Sequence, residues 1–138
     1  MTATDDDDDG MLQFDEPGGN RSLVLEDDGR VAYAYLLIEG RIVGDVWLYN
    51  VAAAPAAISA DPEHLPFLNP SGLASDSADW RFDQDPSVSC RWDARGVTVM
   101  GNGVAMARLE PGAKPGWSRY AIEAGPLAMP IAAWLPPN

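Results

Sequence analysis

The chain has 138 residues, 21 of them acidic and 9 basic, for a net charge of −12 at pH 7, and it holds one histidine (His64), one cysteine (Cys90) and one lysine (Lys114). Such a charge repels nucleic acid and anionic membrane surfaces and attracts a basic partner over long range. The scarcity of His and Cys leaves little from which to assemble most enzyme mechanisms, and one cysteine cannot close an intramolecular disulfide. A hydrophobic fraction of 46% is ordinary for a globular chain, so a real core is expected within one domain over residues 11–138. The start, Met1-Thr2-Ala3-Thr4-Asp5, has no basic segment followed by an apolar one, which predicts no secretory signal. No apolar run approaches the roughly 18–20 residues that span a bilayer. The expectation is a soluble, cytoplasmic protein.

The acids are uneven. Residues 1–28 hold ten acids and one Arg, for −9; residues 29–93 hold nine acids and four Arg, for −5; residues 94–138 are at +2. Asp5–Asp9 is a run of like charges that self-repels, so residues 1–10 read as an acidic, flexible tail. Ser22 to Glu26 reads as a short strand stopped by Asp27-Asp28-Gly29. Arg30–Ile38 and Arg41–Val51 are rich in Val, Ile, Leu, Tyr and Trp and meet at Glu39-Gly40, which predicts a tight hairpin. A two-residue turn sets Tyr35 opposite Gly44, Tyr33 opposite Val46 and Val31 opposite Leu48. Val31, Tyr33, Leu37, Ile42, Val46 and Leu48 then form the core face. The other face collects Ala32, Ala34, Leu36, Val43, Asp45, Trp47 and Tyr49.

An Ala-rich stretch with Pro55 inside suggests one short helix. Residues 61–77 are irregular, with Pro62, Pro66, Pro70 and Gly72 as punctuation and Leu65, Phe67, Leu68 and Leu73 as apolar anchors. Ser87 to Trp92 alternates. Val97–Met100 and Val104–Leu109 form a second hairpin through Gly101-Asn102-Gly103. Trp117 to Ala124 alternates again, and the Pro-cut tail from Leu127 reads as an edge segment. About seven or eight strands, spaced about ten residues apart, predict a mainly β fold: an antiparallel sheet or sandwich with at most one short helix. An α+β fold is the alternative.

His64, in Asp61-Pro62-Glu63-His64, has acids nearby to orient it, but no nucleophile elbow exists in the chain, and a lone loop histidine is more often a surface residue. Cys90 sits on the apolar side of its strand and reads as a buried, inert thiol. One His and one Cys cannot fill a zinc shell. Asp76, Asp79, Asp83 and Asp85 lie close together but lack calcium-loop spacing, so they read as a solvated acidic surface. No catalytic residue, metal or cofactor is assigned. The five tryptophans, Trp47, Trp80, Trp92, Trp117 and Trp134, are expected mostly in the core. An aromatic on a solvent face beside a carboxylate is instead a protein-binding anchor. Trp47 and Tyr49 beside Asp45 are the best candidates, and Trp80 is next.

The stretch Gly40-Arg41-Ile42-Val43-Gly44-Asp45-Val46-Trp47-Leu48-Tyr49-Asn50, with the Ala/Pro segment and Pro66-Phe67-Leu68-Asn69-Pro70 that follow, resembles small bacterial proteins, some of them similar to the immunity partners of polymorphic and type VI-secreted toxins. The resemblance covers residues 30–70 and transfers no binding residue position by position. It implies an acidic, cytoplasmic, non-enzymatic protein that occludes a basic toxin acting on nucleic acid or nucleotides. Exposure and charge then select Asp45, Trp47, Tyr49, Glu63, Asp76, Asp79, Trp80 and Asp83 as the partner-binding residues. The alternative function is a small-ligand-binding β-sandwich accessory module.

Overall fold

Alternating apolar residues build two sheets that share one core. The computed structural model describes residues 10–59, 61–75 and 79–134; the Asp5–Asp9 run and Asp76 lie outside them. The first sheet is antiparallel, in the order β1 (Met11–Asp15), β2 (Arg21–Asp27), β3 (Val31–Ile38), β4 (Arg41–Asn50). The second runs β5 (Ser89–Trp92), β6 (Val97–Gly101), β7 (Val104–Leu109), β8 (Trp117–Ser118), β9 (Met129–Pro130), with the last pair parallel. The fold is mainly β and sandwich-like. Helical structure among the described residues is confined to 3-10 turns at Pro62–His64, Phe82–Gln84 and Ile131–Ala133. The short helix expected at Pro55 is absent. That segment is irregular, and the Ser71 N–H donates to the Pro55 carbonyl.

Leu23 and Leu25 lie opposite Leu36 and Ala34 and form one buried cluster with Val46, Val97, Val99, Ala107 and Leu109. β1 had not been expected as a strand. Its Leu12 and Phe14 pair opposite Leu25 and Leu23 and pack against that cluster, which is what holds it. The sheets are joined along one side by the backbone of β4. Val43 and Asp45 carbonyls accept from Gly112 and Gly116 N–H groups at 2.8 and 2.7 Å, and the Trp47 N–H donates to the Leu127 carbonyl at 3.0 Å. The Ser118 hydroxyl donates to the Leu48 carbonyl at 3.1 Å. β4 is therefore not a free edge, and its outer groups are satisfied by segments far along the chain.

The β3–β4 turn forms as expected, with Glu39 and Gly40 both at positive φ, 52° and 81°. The register beyond it differs. Ile38 faces Arg41 and Leu37 faces Ile42, but the pairing then slips past Val43, so Leu36 faces Gly44 and Tyr35 faces Asp45. The same slip leaves Ala34 opposite Val46 and Tyr33 opposite Trp47, and a second slip, past Leu48, sets Ala32 opposite Tyr49. Each bulge inserts one residue and changes which face the remaining side chains occupy. Ala32, Ala34 and Leu36 are consequently core, while Ile42, expected in the core, is 51% exposed. Gly44 follows the first bulge directly: a Cβ there would lie 2.9 Å from the Glu110 carbonyl oxygen, so only glycine admits the crossing segment.

Candidate functional site

The first bulge puts Tyr35 directly beside Asp45, and Tyr33, two residues away on the same strand, shares that face. The rings stack with centroids 6.1 Å apart and planes 15° from parallel. Above this face runs the irregular segment, and specific hydrogen bonds hold it down. The Arg30 guanidinium donates to the His64 and Pro66 carbonyls. The Tyr33 hydroxyl donates to the Phe67 carbonyl at 2.7 Å. Asn50 bonds both the N–H and the C=O of Asn69, at 2.9 and 2.8 Å, and also accepts from the Trp47 indole at 2.9 Å. The long loop is thus held through its backbone by side chains of the first sheet and of the turn before β3.

Between sheet and loop lies a cleft of about 500 Å³. Tyr33, Tyr35 and Asp45 line it from the sheet, Leu65, Pro66 and Phe67 from the loop, and Lys114, Pro126 and Leu127 from the segments that cross β4. Among the described residues no hydrogen bond or ion pair engages the Asp45 carboxylate or the Lys114 ammonium, and none engages the Tyr35 hydroxyl. Burial, then the nearby charges of Glu26, Asp45 and Asp28, pushes the Tyr35 phenol up to about 12. Burial drives the Tyr33 phenol up as well, reinforced by Tyr35 and Asp45 and opposed by Arg30. Both rings stay neutral hydrogen-bonding groups at ordinary pH, in a locally negative field.

The expected site residues do not converge. Asp45 lines the cleft. Trp47 and Tyr49 do not: each is 1% exposed, and both belong to the core. Trp47 lies under the pinned loop, while Tyr49 packs edge-on to Trp80 and reaches Asp27 through its hydroxyl at 3.3 Å. Trp80 is 4% exposed, and its indole N–H donates to Asp85 at 2.8 Å. Buried this way, these three aromatics are structural fillers, and their reading as surface anchors is corrected. Glu63 is exposed in a smaller hollow of about 330 Å³ that shares Phe67 with the cleft and is also lined by Arg30, Ser59 and His64. Asp79 is exposed and accepts from the Tyr120 hydroxyl at 2.9 Å. Asp83 is exposed near Gly10–Leu12 and does not line the cleft. Asp76 lies outside the described residues.

The Ser59 hydroxyl sits 2.8 Å from His64 Nδ1, and the Asp61 carboxylate lies 3.7 Å from Nε2. The same hydroxyl accepts from the Asp61 N–H at 3.1 Å, and Asp61 accepts from the Glu63 N–H at 2.9 Å. These contacts span six consecutive residues on an exposed loop and brace its turn. No group of three or more His, Cys, Asp or Glu among the described residues is placed to hold a metal ion. No helix among them is long and apolar enough to cross a membrane. Cys90 is half-buried, and burial pushes its thiol up to about 12.

Tyr33, Tyr35, Phe67, Lys114 and Leu127 are the cleft residues that the linear reading passed over. One signal pointed to them. A glycine inside an otherwise strong strand marks a bulge, and a bulge at Gly44 reassigns Tyr35 to the face of Asp45. Fold and site together define a β-sandwich-like scaffold with an aromatic, acid-bearing cleft on the outer face of one sheet. Comparison of the chain with protein-family models, curated proteins and solved structures finds no match.

Proposed function

We propose that the protein is a non-enzymatic inhibitor that binds and occludes a basic protein, acting in the bacterial cytoplasm as the immunity half of a toxin–immunity pair. One observation carries this reading: the uncompensated Asp45 carboxylate set against two stacked tyrosines in a preformed cleft. Aromatic groups beside a charge that gains its partner only on binding are the composition of an interface anchor. A net charge of −12 supplies the long-range attraction that speeds encounter with a basic partner. Glu63, exposed in the hollow that shares Phe67 with the cleft, adds acidic surface beside the anchor, while Asp79 and Asp83, exposed elsewhere, add only to the overall negative field. If the partner acts on nucleic acid or nucleotides, these carboxylates take the place of substrate phosphates in its active site.

The test is capture of partners from the native host by the full chain at about 0.05 M and about 0.5 M salt, followed by assay of the captured protein. The expected result is a basic protein held at low salt, released at high salt, and inhibited stoichiometrically by this chain. Capture of no basic protein, or of one whose activity is unaffected, would overturn the reading. A second reading, a small-ligand-binding module, is favoured by the size of the cleft, which lies within the roughly 300–1,000 Å³ of small-molecule sites. It predicts saturable binding of a small molecule with no protein partner present.

A further inference from the structure

The cleft narrows the chemistry of its occupant. Its walls offer two flat aromatic faces, one free carboxylate and one free phenol, Tyr35, together with the apolar surfaces of Leu65, Pro66, Phe67 and Leu127. A ligand that matches all of these is planar, cationic and rich in N–H donors, with an apolar stem. A guanidinium has that form: it stacks on aromatic rings, donates to a carboxylate through two parallel N–H groups, and has donors left for a phenol oxygen. An ammonium supplies charge but neither the flat face nor the fork. The negative field that Glu26, Asp28 and Asp45 impose on Tyr35 favours a cation. Lys114 opposes it from the rim, exposed and without an ion-pair partner among the described residues.

We infer that this cleft receives one arginine side chain of a basic protein partner, stacked on Tyr35 and forked onto Asp45, with Lys114 as a like charge that the incoming guanidinium must displace. The inference rests on the inhibitor reading for the identity of the partner and specifies the contact that partner makes. It also accounts for an otherwise awkward feature, a half-buried carboxylate with no hydrogen-bond or ion-pair partner among the described residues, in a cleft also lined by a lysine that does not neutralise it. The free site stays open because the lysine remains in solvent, and a better-fitting cation can enter.

The test is a nuclear magnetic resonance titration of the full chain with three capped amino acids that carry no terminal charge: N-acetyl-arginine methylamide, its lysine counterpart and its citrulline counterpart. Arginine should shift the backbone amides of Tyr35, Asp45, Phe67 and Leu127, with lysine several-fold weaker and citrulline weaker still. The isosteric Asp45→Asn, which leaves the strand side chain's shape unchanged, should weaken arginine binding by about tenfold. Lys114→Gln should strengthen it two- to threefold, because a repelling charge is gone. Equal binding of arginine and lysine, or arginine shifts that survive Asp45→Asn, would overturn the inference. Weakening by Lys114→Gln would also overturn it, since Lys114 would then be a ligand for an anionic group. The two readings fail separately. Arginine binding without any basic partner in the host sinks the inhibitor reading alone. A basic partner held equally by Asp45→Asn sinks this contact alone.

Discussion

Replacing Trp47 with alanine separates a core tryptophan from a surface anchor. The side chain is 1% exposed, lies under the loop at residues 61–70, and donates its indole N–H to Asn50 at 2.9 Å. Truncating a buried tryptophan costs about 3–5 kcal/mol from lost transfer energy and the cavity left behind. Losing the indole hydrogen bond is a minor part of this, about 1 kcal/mol at most, because Asn50 Oδ1 keeps its bond from the Asn69 N–H at 2.9 Å. The expected total is about 4 kcal/mol, which lowers Tm by roughly 12–16 °C in a chain of this length. Trp47→Phe retains most of the apolar volume and should cost about 2 kcal/mol, so a folded variant remains to measure if alanine prevents folding. Urea unfolding followed by far-ultraviolet circular dichroism gives both values without relying on tryptophan emission. An exposed anchor would change stability by less than about 0.5 kcal/mol. A Trp47→Ala midpoint within that range would refute the burial argument and return Trp47 to the partner-binding surface.

Two further outcomes follow from particular contacts. Gly44→Ala places a methyl 2.9 Å from the Glu110 carbonyl oxygen and should cost about 1–3 kcal/mol in urea unfolding, whereas Ile42→Ala, at a residue 51% exposed, should cost far less. Equal effects would mean that the crossing segment does not press on β4. Asp93 should contribute to acid stability. The Arg108 side chain, 1% exposed, donates to both Asp93 oxygens at 2.7 and 3.0 Å, also reaches Glu110 and Thr98, and carries the Trp134 ring at 4.8 Å. Those Arg108 donors, with help from the Arg95 and Gly96 N–H groups, hold the Asp93 carboxyl far below the ordinary carboxylate range. A depressed folded-state value means that the stabilisation is present above the unfolded value, near pH 4, and is lost as pH falls below it. Asp93→Asn should therefore lower stability at pH 7 and flatten the acid limb of the stability curve below about pH 4. Half the carboxylate surface is in water, so screening keeps the effect modest. An unchanged acid limb would show that Arg108 draws its compensation from Glu110 instead.

Much of the architecture was legible because it is local. Val104 to Leu109 and Val97 to Met100 announce themselves by apolar content and the Asn102-Gly103 turn, where both residues take positive φ, 52° and 80°. The Glu39-Gly40 turn and the first two pairs beyond it follow from the same rule. β1 was missed because its only reason to be a strand lies across the sheet, in Leu23 and Leu25. The two residues of β8 and the parallel β9 are set by contact with β7 and with each other, and short pairings of that kind leave no period in a sequence.

The chain by itself determined a β-rich protein with an acid excess and little catalytic equipment, since composition, alternation and turn chemistry are properties of neighbouring residues. It also singled out Asp45 and the idea of an aromatic beside it. Only the tertiary structure decided which aromatic. The carbonyl of Glu110, far along the chain, admits nothing larger than glycine at position 44, and the strand bulges past Val43 beside it. A slip of one residue inverts every side chain beyond it. That inversion brings Tyr33 and Tyr35 to the face of Asp45 and Trp47, the second slip turns Tyr49 into the core, and the loop pinned by Arg30, Tyr33 and Asn50 buries Trp47 and leaves Tyr33 and Tyr35 to form the cleft with Asp45.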